Sequence, residues 1–500
     1  MRLGNDALAL ALPATLAAVL LLANLGDRLL WQDEAQTALI ARTILSHGIP
    51  LGSDGTNYFS QELGREYAQN HVWKWHAWLP FYAVSASFLV FGTNTFAARL
   101  PFALFGIATV ILTYATARTL WRDRRAAAAA AAMLAVCVPF LILSRQCRWY
   151  AFATFFSLLG LYAYAGLRRG AHRRAWLLFG ALTLLFHSHY LYAATLLATL
   201  LLHAGIFERE KLRSVLVVAA ATALFNLPWV WWFATIRYAE SYGDRLLDLD
   251  ASARYARRFT RTLFSDFFHP SLLLIPPTLA IWRRLTKSDD VEPGIWRGVW
   301  LILLFCVVNV TTLALVSPGA YVRYLAPLAP PLFLISGLLM GALLRRSLLA
   351  GAAALVVWVA WASGGPLQAY LHEITHGYEG PIEGIVRFLK QRARPSDTVA
   401  ITYGDLPVKF YTPLRVIGGL TGEDLSEAQG AEWIILRRHR YTDEEKRVGE
   451  VLEAYLSAEA YERYVLENPD VAWSNREDIR LHHFATPHDR PPVVIYGRRR

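Results

Sequence analysis

The sequence predicts a polytopic α-helical membrane protein of about eleven transmembrane helices, with interfacial helices in its first outer loop and a C-terminal soluble α/β domain. Three observations carry this. Of the 500 residues, 55% are hydrophobic and 17 are Trp, and mean hydropathy is +0.29, too apolar for a soluble chain of several domains. Apolar runs long enough to cross roughly 30 Å of hydrocarbon, about 20 residues each, recur through the first 365 residues or so and then stop. Arg-rich loops punctuate those runs, with two runs between each neighbouring pair, as strict alternation across a bilayer requires.

The loops "RTLWRDRR" (118–125), "RRGAHRR" (168–174), "EREKLR" (208–213), "RRLTKSDD" (283–290) and "LRRS" (344–347) are assigned to the cytoplasm. The spans are then residues 7–25, 98–117, 126–144, 151–167, 175–190, 192–207, 214–233, 271–282, 298–316, 325–343 and 348–364. The opening run follows Arg2 but leads to no clean small-x-small cleavage site, so it reads as a retained first helix. "WLPFYAVSASFLVFG" (78–92) is apolar for only about 14 residues, nearer to an interfacial or re-entrant helix than to a span. If it crossed, every later loop would change sides. It is therefore placed outside, with the N-terminus cytoplasmic and the C-terminal domain extracytoplasmic, in a protein integral to the cytoplasmic (inner) membrane.

From residue 365 the pattern changes to short β-rich runs, at 398–404, 431–438 and 492–497, with helical stretches between them. At "TDEE", Thr442 and Glu445 have the spacing of a capping box, and the helix it opens is expected to run to about Leu466. Residues 1–364 thus form a transmembrane domain and residues 365–500 an α/β domain.

The net charge of +11 arises from the inter-span loops rather than from a basic stripe interleaved with stacking aromatics, which argues against a nucleic-acid partner. Three Cys, with Cys137 and Cys306 inside apolar runs, support neither a disulfide framework nor a thiolate metal site.

Under this topology the polar chemistry collects on the outer side: Asp33 and Glu34, "QNHVWKWHAW" (69–78), "SRQCRWY" (144–150), "HSHY" (187–190), a loop near 234–270 and "SPGAYVRY" (317–324). The spans hold few ionisable groups. Asn226 with Pro228, Pro276 with Pro277, and Asn309 read first as kinks and interhelical hydrogen bonds, whereas a transporter favours charged or broken-helix sites near the midplane.

"RLLWQDEAQTALIARTILSHG", "WLPFYAVSASFLVFGTNTFAARLPFALFGIATVILTYATARTLWRDRR" and "RYLAPLAPPLFLISG" resemble the type C glycosyltransferases, in the branch of the protein O-mannosyltransferases and lipid A aminoarabinose transferases. The similarity covers about residues 1–345 in motif order, with the "DE" after the first helix and the "FG…RLP" element specific in combination. The resemblance implies hexosyl or pentosyl transfer from a polyprenyl-phosphate donor to an extracytoplasmic lipid, polysaccharide or protein, with the acidic pair Asp33 and Glu34 at the catalytic centre. The chemistry agrees: the departing phosphate anion needs cations and the acceptor needs a base. Asp33 fits the base, and His76, Arg148 and Arg323 the phosphate. Lys74, Trp75, Trp78, Tyr150, His189 and Tyr324, with Trp73 and Trp149, are expected to line the sugar and the lipid path. The sequence departs from the family where it has His76-Ala77-Trp78 in place of Lys-Pro-Pro, and "RQCRWY" where relatives can carry a further Asp.

Plainer readings stand beside these. Asp33 with Gln36 suits an N-cap pair, and Glu34 suits shaping the field of Asp33 or helping to hold a metal. His71, His76, His187 and His189 with a carboxylate leave a divalent metal open, though their spacing matches no metal motif. Arg145 and Arg148, three apart, share one helical face or snorkel at a span end. The six arginines between Arg237 and Arg261 grip anionic groups or decorate a surface helix. Outside enzymology, a flippase of lipid-linked glycans or an envelope scaffold fits the same composition. Membrane lipids are partners on every reading.

Overall fold

The computed structural model describes residues 3–168, 170–233, 248–267, 293–438, 442–458, 460–472 and 479–499. Its helices are α1 Leu3–Leu22, α2 Gln32–His47, α3 Leu79–Phe91, α4 Thr95–Trp121, α5 Arg124–Ala135, α6 Val138–Arg145, α7 Tyr150–Ala165, α8 His172–Phe186, α9 Tyr190–Phe207, α10 Arg209–Phe233, α11 Leu249–Thr262 and α12 Pro293–Val316. A 3₁₀ segment, Val322–Leu328, then leads to α13 Ala329–Arg346, α14 Leu348–Ser363, α15 Pro366–Thr375 and α16 Pro381–Arg392. The remainder is β1 Thr398–Ile401, α17 Asp405–Tyr411, β2 Arg415–Gly418, β3 Trp433–Ile435, α18 Asp443–Ala458, β4 Tyr461–Pro469 and β5 Pro492–Arg498.

Among the described residues, five helices are long and apolar enough to cross a membrane: Thr95–Trp121, Tyr190–Phe207, Arg209–Phe233, Gly294–Val316 and Val322–Arg345. The pair α5 and α6, bent by 63°, makes a sixth as one broken span; Pro139 near the start of α6 gives no backbone donor, which favours a break there. Shorter apolar helices cover Asp6–Leu22, Leu79–Phe91, Tyr150–Ala165 and Leu348–Trp358. The chain is an integral membrane protein of mostly helical build. The expected span at 271–282 lies outside the described residues.

Two compact units emerge. One holds Met1–Ala23, Phe102–Leu371 and Glu477–Ile479; the other holds Asn24–Pro101, His372–Arg476 and Arg480–Arg500. The segment between α2 and α3 and the C-terminal sheet therefore share a unit.

Within the first unit, α13 lies unusually close to α5. A Cβ at Gly337 would stand 2.5 Å from the Ala126 carbonyl oxygen and 2.5 Å from the Ala130 Cβ, and one at Gly341 would stand 2.6 Å from the Ala126 Cβ. Small residues four apart on both helices let the backbones approach, as in small-xxx-small packing. Asn309 behaves as expected of an interhelical hydrogen bond: its Oδ1 accepts from Thr195 Oγ1 on α9 at 2.9 Å, while its Nδ2 donates to the Phe305 carbonyl at 2.8 Å.

In the second unit the sheet order is β2-β1-β3-β5-β4, with β1 parallel to β2 and β3 and the other pairs antiparallel. Alternation along the strands divides the core. Val399, Ile401, Val416, Ile435 and Ile495 pack with Ile385 and Leu389 of α16, whereas Ala400, Ile417 and Ile434 pack with Val448 and Leu452 of α18. The Thr442 box is present: Glu445 N–H donates to Thr442 Oγ1 at 3.1 Å and Thr442 N–H to Glu445 Oε2 at 2.9 Å. The helix stops at Ala458 rather than near Leu466, because Tyr461–Pro469 pairs with β5 instead; its alternation of exposed and half-buried positions is a strand pattern.

The segment between α2 and α3 is sewn to this sheet. Asn57 Nδ2 donates to the Leu414 carbonyl at 3.0 Å and its Oδ1 accepts from Val416 N–H at 2.8 Å, so one side chain serves as a partner for the β2 edge. Leu63 N–H adds a bond to the Leu420 carbonyl at 3.0 Å.

Candidate active site

The acidic pair splits into two environments. Trp31, not Asp33, is the N-cap residue of α2, which puts Asp33 and Glu34 inside the first turn, where helix N–H groups favour negative charge. Glu34 is fully buried and takes a two-pronged ion pair from Arg99, Nε to Oε1 at 2.8 Å and Nη2 to Oε2 at 2.7 Å. Glu34 Oε2 also accepts Trp31 N–H at 3.3 Å, the bond to the cap residue's backbone that the sequence assigned to the neighbourhood of Asp33. Arg99 further donates to the carbonyls of Leu25, Arg28 and Leu29 at 3.1, 2.8 and 3.2 Å. The "DE" and "RLP" elements are thus the two ends of one ion pair, which is a physical reason for their occurring together.

Asp33 is only half-buried, and its Oδ1 accepts from Gln61 Nε2 at 3.3 Å. Gln36 does not cap the helix with it. Instead Gln36 Nε2 donates to the Phe59 carbonyl at 2.9 Å and to Glu66 Oε1 at 3.0 Å. Glu66 is buried, and Oε2 gathers Gln61 N–H at 2.7 Å, Glu62 N–H at 3.1 Å and the Ser60 hydroxyl. Burial pushes its carboxyl up to about 7, against the pull of those donors. Glu66 therefore shapes the turn that presents Gln61 to Asp33.

On the other side of α2, Gln32 Nε2 donates to Asp405 Oδ1 at 2.7 Å. Asp405 pairs with Lys409 at 2.9 Å, both side chains fully buried, and Glu423 lies 3.8 Å from the same ammonium. Lys409 also donates to the Tyr58 carbonyl at 2.8 Å. Tyr403 is held far above its usual phenol value, by burial first and by the Asp33 charge next.

Of the other predicted residues in this unit, His76 stacks on Trp73 with ring centroids 6.0 Å apart, and Trp78 Nε1 donates to the Trp73 carbonyl at 2.9 Å. Lys74 and Trp75 are half-buried, and Lys74 N–H donates to the Glu66 carbonyl at 2.8 Å. His71 stands edge-on to Tyr58 and Tyr67 at 5.6 and 5.5 Å.

In the first unit a second cluster forms around Trp149. Its ring lies 4.7 Å from Tyr150, 4.2 Å from His189, 5.5 Å from Tyr192 and 6.2 Å from Tyr324, the last nearly parallel. Tyr192 OH donates to the Tyr324 carbonyl at 2.5 Å, and the Arg323 guanidinium lies 4.3 Å over Tyr321 and 5.9 Å from the Tyr324 ring centre. The expectation that Arg145 and Arg148 share a helical face is corrected: α6 ends at Arg145 and Gln146 is extended. Arg145 Nη1 instead donates to the carbonyls of Leu20, Leu21 and Ala23 at 3.0, 3.2 and 2.8 Å, closing the end of α1.

Among the described residues no group of three or more His, Cys, Asp or Glu is arranged to hold a metal ion. The sequence reading missed Arg99, Gln61, Glu66, Asp405, Lys409 and Glu423. Arg99 lay inside a quoted motif. The C-terminal three carry no local signal, since Asp405 and Lys409, four apart, look like any surface helix pair.

The class these features define is an integral membrane protein with the type C glycosyltransferase fold. The chain aligns over 99% of its length, and 98% of the other, with ArnT from Cupriavidus metallidurans bound to undecaprenyl phosphate, at 15% identity and a TM-score of 0.57. It aligns with the Archaeoglobus fulgidus oligosaccharyltransferase in the apo form at 13% identity and a TM-score of 0.58, covering 94% of this chain and 74% of that one. The archaeal oligosaccharyltransferase AglB from the same organism, in complex with an inhibitory peptide and a dolichol-phosphate, matches at 13% identity and a TM-score of 0.54 over 86% and 69% of the two chains. Residues 75–232 match the family model of the dolichyl-phosphate-mannose-protein mannosyltransferases. No curated protein matches in sequence.

Proposed function

We propose that this protein transfers a sugar from a polyprenyl-phosphate-linked donor to an acceptor outside the cytoplasm, with Asp33 as base or acceptor-positioning group. The observation that carries the reading is the division of labour in the first turn of α2. Glu34 is consumed by Arg99, while its neighbour Asp33 keeps a half-exposed carboxylate held at one oxygen by Gln61. The acceptor hydroxyl or amine attacks the anomeric carbon, its proton passes to Asp33, and the bond from that carbon to the phosphate oxygen breaks, releasing polyprenyl phosphate as the anion. Arg148, Arg323 and His76 receive the phosphate charge, and the aromatic cluster at Trp149, Tyr150, His189 and Tyr324 lines the sugar, with Lys74, Trp75 and Trp78 along the lipid path. Glu34 acts by fixing the helix that carries Asp33. The protein sits in the inner membrane with eleven crossings, the N-terminus cytoplasmic and the 365–500 domain outside. A flippase is less well supported, because Asn309 is already engaged between α9 and α12.

The test supplies nanodisc-embedded protein with a panel of polyprenyl-phosphate sugars and acceptors, and measures released polyprenyl phosphate. Asp33→Asn should lower release by about 10²–10⁴-fold with donor binding retained. Equal release from variant and wild type removes Asp33 from the mechanism.

A further inference from the structure

Helix α11 carries a feature the reaction does not use. Arg254, Arg257, Arg258 and Arg261 fall at i, i+3, i+4 and i+7, one face of the helix, and all four are exposed. A neighbouring face is buried through Ala251, Ser252, Phe259 and Thr262, and the helix packs on α12. Among the described residues none of the four arginines has an ion-pair partner. Of the nearby carboxylates, Asp248 caps the helix by accepting Ala251 N–H at 2.8 Å, Asp266 accepts from Ser265 Oγ at 2.6 Å, and Asp250 lies in the first turn.

Two further observations say what such a face meets. Tyr255, between the arginines in sequence, reaches the Pro318 carbonyl at 3.5 Å, so α11 lies against the segment where the chain leaves the span that ends at Val316. At its ends, Leu249 and Phe264 are 74% and 52% exposed, apolar groups flanking the cationic face. A helix at the end of a span that offers arginines to one side and bare apolar side chains at its tips has the make-up of one lying among lipid headgroups.

We propose that the arginine face of α11 binds the phosphates of anionic phospholipids in the surrounding bilayer. Arginine suits this better than lysine, because its planar fork grips two phosphate oxygens at once. The inference is independent of the transfer reaction and of which sugar is carried.

The experiment titrates the full-length protein, in uncharged maltoside micelles, with dioctanoyl phosphatidylglycerol, and counts bound lipid by native mass spectrometry. Dioctanoyl phosphatidylcholine, inorganic phosphate and heparin are the other arms. One headgroup spanning two guanidinium groups, at roughly fivefold each, should bind roughly twenty-five-fold more weakly to the quadruple Arg→Gln variant at low salt. The preference for phosphatidylglycerol should fade as salt shortens the screening length. The quadruple Arg→Lys variant should recover a good part of the binding, which separates loss of charge from loss of fold. Equal binding of the two lipids by wild type, or undiminished binding by the Gln variant, overturns the proposal. Competition by inorganic phosphate at the lipid's own concentration makes this a free-phosphate site instead, and heparin binding tighter than the lipid makes it a polyanion site. Either result also overturns the proposal.

Discussion

Replacing Arg99 by Met keeps most of the aliphatic stem and removes the guanidinium fork. The structure sets the size of the effect. Five hydrogen bonds disappear, two to Glu34 and three to the carbonyls of Leu25, Arg28 and Leu29. The Glu34 carboxylate stays where it is, fully buried and stripped of its countercharge. Breaking a buried pair by removing one partner costs about 3–5 kcal/mol. In a unit of about 200 residues each kcal/mol lowers Tm by about 2–4 °C, so Arg99→Met should melt about 6–20 °C below wild type. Thermal unfolding of purified protein in maltoside, followed by tryptophan fluorescence, reads this directly. Adding Glu34→Leu should restore much of the loss, because the uncompensated charge goes with it. A single variant within about 2 °C of wild type, or a double variant no better than the single, would refute the reasoning.

Three further outcomes follow from the same geometry. Glu66 holds its proton to about 7 when folded and releases it near 4.5 when unfolded. Its contribution to stability is therefore full at low pH and is lost as pH rises through that window. Unfolding measured against pH should show wild type losing about 3 kcal/mol relative to Glu66→Gln between those limits, and a gap that ignores pH counts against the buried acid. Gly337→Leu cannot fit against Ala126 and Ala130 and should cut the yield of folded protein after detergent extraction, whereas Gly180→Leu, at a glycine with nothing within 4 Å, should not. In the nanodisc assay Asp33→Asn should fail at transfer while retaining the wild-type melting temperature, and Glu34→Gln should lower both.

How much of this was legible in the sequence depends on range. The apolar runs, the strands at β1, β3 and β5 and the Thr442–Glu445 box are local patterns, and local patterns survive folding. The ring contacts of Trp149 with Tyr150, His189 and Tyr324 join segments that the sequence reading also groups. Part of what escaped was decided by pairings more than 300 positions apart, and Arg99, Gln61 and Glu66 escaped through pairings with Glu34, Asp33 and Gln36 across 65, 28 and 30 positions. Nothing around Asp405 or Lys409 announces that Gln32 and Tyr58 lie against them, and an i,i+4 pair reads as a surface feature until burial is known. Strand β4 escaped for another reason, its run of tyrosine and glutamate continuing the composition of the helix before it.

The stitching of the chain around α2 to the C-terminal segments has a consequence for biosynthesis. Leu29 N–H bonds to Glu383 and Gln32 to Asp405, separations of 354 and 373 residues. At about 5–20 residues per second, the turn bearing Asp33 waits roughly 20–70 s after emerging before its partners are made. Throughout that interval it lacks the scaffold that fixes it. A chain cut short by a nonsense codon, or stalled in insertion, leaves this turn unfinished however well its spans have packed. The segment that carries Glu383 and Asp405 must therefore be made before the chain at the start of α2 has these hydrogen-bond partners.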